Sequence, residues 1–265
     1  MPAARTERPN VDAALLPAWQ TLLLSLADDK LMLGHLNSDW TGLAPTLEED
    51  IAFSALAQDD IAHAQAIFQY LESLTGTRAD DLAFGRAPAE YRAASITERA
   101  DEFDWALAIA RQFYVAHFEE IRLGRLAQSN EPLLAGLAKR ILAEQQVQIE
   151  HVDGWMRRLG RSDDARTRVQ TALDALAGDA ALLVEPVDGL ESLESAGLYP
   201  AGSQSTADLW SRALAGIAEP NGFRIALPAV DADARGGRRG VVSDRRIEVL
   251  DEMCAVYRED PGARW

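Results

Sequence analysis

A lone cysteine, Cys254, cannot staple the chain to itself, so the 265 residues hold neither a disulfide framework nor a cysteine-based metal or redox motif. It reads as a small core residue of a protein kept in a reducing compartment. Aromatics are scarce at 7%, and β-branched residues are sparse over the first two-thirds while Ala and Leu recur nearly throughout. That bias favours helices over strands. No apolar run approaches the ~20 residues of a membrane-spanning helix, and residues 1–10 lack the apolar stretch of a secretory signal, which leaves them as an expected disordered tail. Basic charge is also short, with 26 Lys and Arg against 42 Asp and Glu for a formal net charge of -16. Such a field repels phosphate backbones and anionic lipid, so neither nucleic acid nor membrane is expected as a partner and the cytoplasm is the expected location.

What the chain does have is 48% apolar residues, enough for a real core, arranged with helical periodicity. Residues 11–36 carry the stripe Leu15, Trp19, Leu22, Leu26, Leu33 and Leu36. Residues 47–74 carry Phe53, Leu56, Ile67, Leu71 and Leu74, with Thr46 placed to cap the start, Glu48, Glu49 and Asp50 complementing the helix dipole, and Gly76 at the stop. Residues 97–128 carry Phe103, Leu107, Ala110, Tyr114, Ile121 and Gly124. Residues 131–159 carry Leu134, Leu137, Ile141, Val152, Trp155 and Leu159. Helices of that length suit an up-down bundle, and the longer link over 75–96 is what the crossover of a ferritin-like fold requires. The expected architecture is therefore all-α: a ferritin-like four-helix bundle over residues 11–160. Shorter helices about 163–177, 206–218 and 244–258 pack beside it within one domain.

Polar residues interrupt these stripes. Asp60 and His63 fill the gap between Leu56 and Ile67. His117 falls between Tyr114 and Ile121, with Glu120 beside it. Glu144 and Gln148 lie between Ile141 and Val152, with His151 near, while Asp29 sits between Leu26 and Leu33. Carboxylates and imidazoles projecting into a bundle core are how di-iron proteins hold their metals, with a Glu on each of two helices and Glu-x-x-His on the other two. Here Asp60-x-x-His63 is a shortened version, and Glu144-x-x-Val147 lacks its imidazole. Asp60, His63, Glu120, Glu144, His117 and His151 accordingly form a candidate vestigial metal site. The same residues also read as a buried polar network, Asp60 with His63 and Glu120 or Glu144 with His117.

Arg235, Arg238, Arg239, Arg245 and Arg246 make a basic island around Gly236 and Gly237. Arg238 and Arg239 are its candidates for contact with a phosphate or a partner. The glycines match no phosphate loop or dinucleotide fingerprint, and no nucleophile-elbow spacing appears.

An ordered set of short stretches carries a resemblance. Leu26, Asp28 and Leu31 lead to Trp40, Gly42, Ala44 and Pro45, then Leu47, Glu48, Asp50 and Ile51, then Asp59, His63 and Ala64. Ala110 to Tyr114, Glu144 and Gly154, Trp155, Arg158, Leu159 and Gly160 follow. Gly236 to Gly240, Leu250, Glu252, Met253 and the closing Pro261 to Trp265 complete it. With these the chain resembles the PaaC family, the non-catalytic ferritin-like subunit of phenylacetyl-CoA epoxidase, departing from it at Val242 and Ser243, where His-Thr is usual, and at Val147. The resemblance implies a structural subunit without a cofactor of its own. Its implied partners are a catalytic, iron-bearing PaaA-type subunit, a reductase and small accessory subunits, with homo-oligomers also compatible. The rival reading is a ferritin-like di-iron oxygenase or oxidase with an altered site and iron as cofactor. A third is a bundle that stores or senses a ligand, for which an apolar cavity with a few convergent polar groups is the sign.

Overall fold

The computed structural model describes residues 9, 11–99, 102–185, 187–231 and 233–263, so most of the expected N-terminal tail lies outside the described residues. Among these the chain is all-helical, with no strand, consistent with a ferritin-like bundle. Four long helices form its body: α1 (Leu16–Ser38), α2 (Leu47–Thr75), α4 (Trp105–Leu126) and α5 (Pro132–Leu159), with the short α3 (Ala79–Phe84) between α2 and α4. No described helix is long and apolar enough to cross a membrane.

Local chemistry sets the ends. Pro17 starts α1. Three acidic residues occupy the first turn of α2, whose exit is Gly76 in the left-handed region at φ 76°. Asp104 caps α4 by accepting from the Ala106 and Leu107 amides, and Glu131 does the same for Leu133 and Leu134 at the start of α5. Gly34 lets α1 and α2 approach closely, since a Cβ there would meet Ile61 Cγ1 at 2.6 Å and Ala57 O at 3.0 Å.

The third long helix departs from its expected start at Thr97. Ser95–Glu98 is instead a single 3-10 turn, and Glu102 and Phe103 have positive φ of 50° and 60°, which turns the chain sharply before Asp104. Phe103 thus leaves the stripe and is 56% exposed, with its ring edge-on to Trp40. The link over 75–96 carries α3 and the 3-10 turn Pro88–Glu90, and its Arg92 and Ala94 amides donate to Asp28 and Asp29 of α1.

Beyond the bundle come α6 (Asp163–Ala181), α7 (Leu190–Ser195), α8 (Thr206–Ala218), α9 (Asp244–Met253) and α10 (Ala255–Glu259). The last expected helix is broken at Cys254, and α7 has no counterpart in the periodicity. Leu173, Leu176, Trp210 and Leu214 of α6 and α8 join Phe113, Tyr114 and Phe118 of α4 in one core. Trp210 Nε1 donates to the Tyr114 carbonyl at 2.9 Å.

Candidate functional site

The polar residues at mid-bundle close into a ring. Lys30 of α1 donates through Nζ to Asp60 Oδ1 at 2.8 Å and to Gln145 Oε1 at 2.6 Å. Gln145 Nε2 donates to Gln148 Oε1 at 3.1 Å, and Gln148 Nε2 returns to Asp60 Oδ1 at 3.0 Å. All four side chains are buried, so each donation replaces water that is absent there.

The six metal candidates do not meet around one point. Asp60 faces Lys30 rather than His63. His63 reaches from the core to Glu144 at the surface, 2.6 Å away. His117 pairs with Asp153 at 3.0 Å, and Glu120 takes Gln146 at 2.9 Å on the outside. His151 and Trp155 Nε1 both meet Glu49, each at 2.8 Å. Neither expected pairing of the buried network forms, because helix phase sets Glu144 and Val147 on the outer face of α5, where Val147 is 61% exposed. The inward i,i+3 pair of α5 is Gln145 and Gln148, which continue the four-then-three spacing from Ile141 to Val152.

That phase changes what the missing imidazole means. Val147 does not stand at a ligand position; Gln145-x-x-Gln148 does, and its amides carry no negative charge. Asp60 Oδ2 and His63 Nδ1 are buried without a hydrogen-bond partner among the described residues. These two potential ligand atoms lie on one helix, beside a fixed ammonium. A pair of divalent irons does not fit such a set, which lacks the carboxylates needed on four helices. Among the described residues no three His, Cys, Asp or Glu side chains gather into a potential metal site. Burial is the first cause, and the Lys30 charge the second, that holds the His63 pKa below 6.5.

A second ion cluster ties the crossover and the Gly-Arg loop to α1. Asp29 Oδ2 accepts from Arg122 Nη1 at 2.9 Å and from Arg238 Nη2 at 2.7 Å, while its Oδ1 takes the Ala94 amide. Asp28 receives Arg86 and the Arg92 amide, and Arg246 is buried against Glu98. Ser243, at one of the family departures, caps α9 and donates to Glu98 at 2.8 Å. Arg238, expected at a phosphate or partner surface, is instead 4% exposed and committed to Asp29. Arg239 donates to the Ala234 carbonyl and to Asp188.

Lys30, Gln145, Glu119, Arg122 and Asp153 escape the sequence reading. The signal for Lys30 is present, since positions 29 and 30 both lie three or four residues from Leu26 and Leu33. A lysine in a stripe is ordinarily read as reaching out to water, so its burial is not evident from spacing.

The family model described as Phenylacetic acid catabolic protein matches residues 6–265, nearly the whole chain. The chain belongs to that family. Among curated proteins it is similar to a 1,2-phenylacetyl-CoA epoxidase subunit of Escherichia coli (strain K12), 27% identical over 244 residues that cover 91% of this chain and 97% of the relative.

Proposed function

We propose that the chain is a structural, non-catalytic subunit of a 1,2-phenylacetyl-CoA epoxidase and holds no metal of its own. It would support a catalytic, iron-bearing ferritin-like subunit, with a reductase and small accessory subunits in the wider complex. The observation that carries this reading is the ring at mid-bundle, where the Lys30 ammonium neutralises Asp60 and two glutamines supply the remaining hydrogen bonds. A core whose charge is already balanced by an internal cation has no electrostatic demand for iron. The length and coverage of the match to an epoxidase subunit support the assignment to such a complex.

A surface for the catalytic partner is offered by the start of α2. Leu47 and Ile51, one turn apart, are 70% and 64% exposed, and Leu43 precedes them at 57%. Apolar side chains left in water at adjoining positions are the usual core of an interface.

The test is purification from iron-supplied aerobic culture, with and without co-expression of a catalytic subunit. Iron well below one per chain, unchanged by Asp60→Ala, together with co-elution of the two subunits, is the expected result. About two irons per chain that fall in Asp60→Ala would overturn the proposal in favour of a di-iron enzyme.

A further inference from the structure

Between α2 and the short α3 the fold leaves a cavity of about 200 Å3, with Leu31 of α1 also in its wall. Ile61, Gln65 and Phe68 line it from α2, where steps of three and four residues put them on one face. Ala79, Asp80 and Phe84 face them from α3. Ile61 is left 43% exposed, a large apolar side chain partly in water.

The space is preformed because α3 is held by something other than α2. Its six residues are too few for a helix to stand alone, and α10 and the segment after it pin it. The Tyr257 hydroxyl donates to Asp81 Oδ1 at 2.7 Å, and its ring lies 6.1 Å from that of Phe84. Arg78, immediately before α3, donates to the Pro261 and Ala263 carbonyls at 3.0 and 3.2 Å. These contacts fix α3 without closing it onto α2, so a ligand entering the cavity has little ordering cost to meet.

The lining also selects by charge. It contains no cationic side chain, and its one ionisable group is the Asp80 carboxylate, already engaged by Arg78 at 3.1 Å. Arg86 lies over the Phe68 ring at 5.9 Å but is committed to Asp28. An anion would therefore leave water with no cation in the walls to receive it. A cavity of ~150 Å3 takes benzene, so the volume here suits a somewhat larger ring system.

We propose that this cavity binds a small uncharged aromatic molecule of about the size of indole. Its ring would pack on Leu31 and against the Phe68 and Phe84 rings, which favour edge-to-face and offset contacts. Its N–H or hydroxyl would donate to the Gln65 amide oxygen at the mouth. An apolar enclosure with a few polar groups to fix orientation is the usual form of a small-molecule site. The inference does not rest on the epoxidase reading, since a structural subunit and an independent enzyme could equally carry the site.

The experiment is ligand-observed NMR titration of the full chain with indole, beside benzoate as an aromatic anion. Ala79→Phe and Gln65→Phe each put a ring into the cavity from a position that is not buried, and circular dichroism checks that both keep their helices. Indole is expected to bind saturably at or below about 1 mM, and benzoate about tenfold more weakly or not at all. Both filled variants are expected to lose indole binding. Absence of saturable indole binding up to about 10 mM, benzoate that binds as tightly as indole, or a folded filled variant with unchanged indole affinity would each overturn the proposal. Metal content and co-elution with a catalytic subunit are unaffected by these results, so the two proposals fail separately.

Discussion

A buried ammonium loses several kcal/mol of hydration and persists only where oxygens enclose it. Lys30 has Asp60 and Gln145 for that purpose. Lys30→Met leaves Asp60 as an unpaired buried charge, and a loss of about 3–5 kcal/mol in urea unfolding is expected. Adding Asp60→Asn removes the stranded charge while its carbonyl still accepts from Gln148, so the double variant is expected to be more stable than Lys30→Met alone. His63 gives a pH test. Its folded pKa lies below the 6.5 of the unfolded chain, so the unfolded state binds the proton more readily. Stability is then full above about pH 6.5 and falls as pH drops from there toward the folded value. His63→Gln is expected to flatten that part of the pH profile of urea midpoints. The sequence points to Asp60 and His63 as buried and is right for both. It misplaces Glu144, because a stripe with steps of three and four cannot by itself decide between neighbouring positions 144 and 145.

At the scale of elements, the bounds of α2 and α5 are legible within a residue or two, since each has strong local markers: the acidic first turn and left-handed Gly76 for α2, and Glu131-Pro132 for α5. The start of α4 is not. Phe103 fits an apolar stripe by spacing, but the chain there takes a positive φ, and the true boundary is the Asp104 cap. Asp104→Ala is expected to lower stability by about 1 kcal/mol, as removal of a side-chain cap does. Thr46→Ala should cost less, because the Thr46 hydroxyl makes no capping hydrogen bond. Matched urea unfolding of the two variants checks the order.

For the whole molecule, the expected assembly makes a surface prediction. Ile51→Glu puts a charge on the exposed apolar turn of α2 and is expected to lower co-elution with a catalytic subunit without changing thermal stability, since Ile51 is 64% exposed. The amino-acid sequence by itself determined that the chain is all-helical, how many long helices it has, that it resembles the family to which it belongs, and that charged groups lie within its bundle. Those properties follow from composition, local periodicity and ordered motifs along one chain. Only the tertiary structure decided which charges meet. Lys30 and Gln145 are 115 positions apart, and Arg238 reaches Asp29 across 209, contacts set by helix rotation and by the path of the crossover. Burial leaves each of these ions to be stabilised by whatever groups the fold brings within reach, and sequence spacing cannot name a partner on another helix.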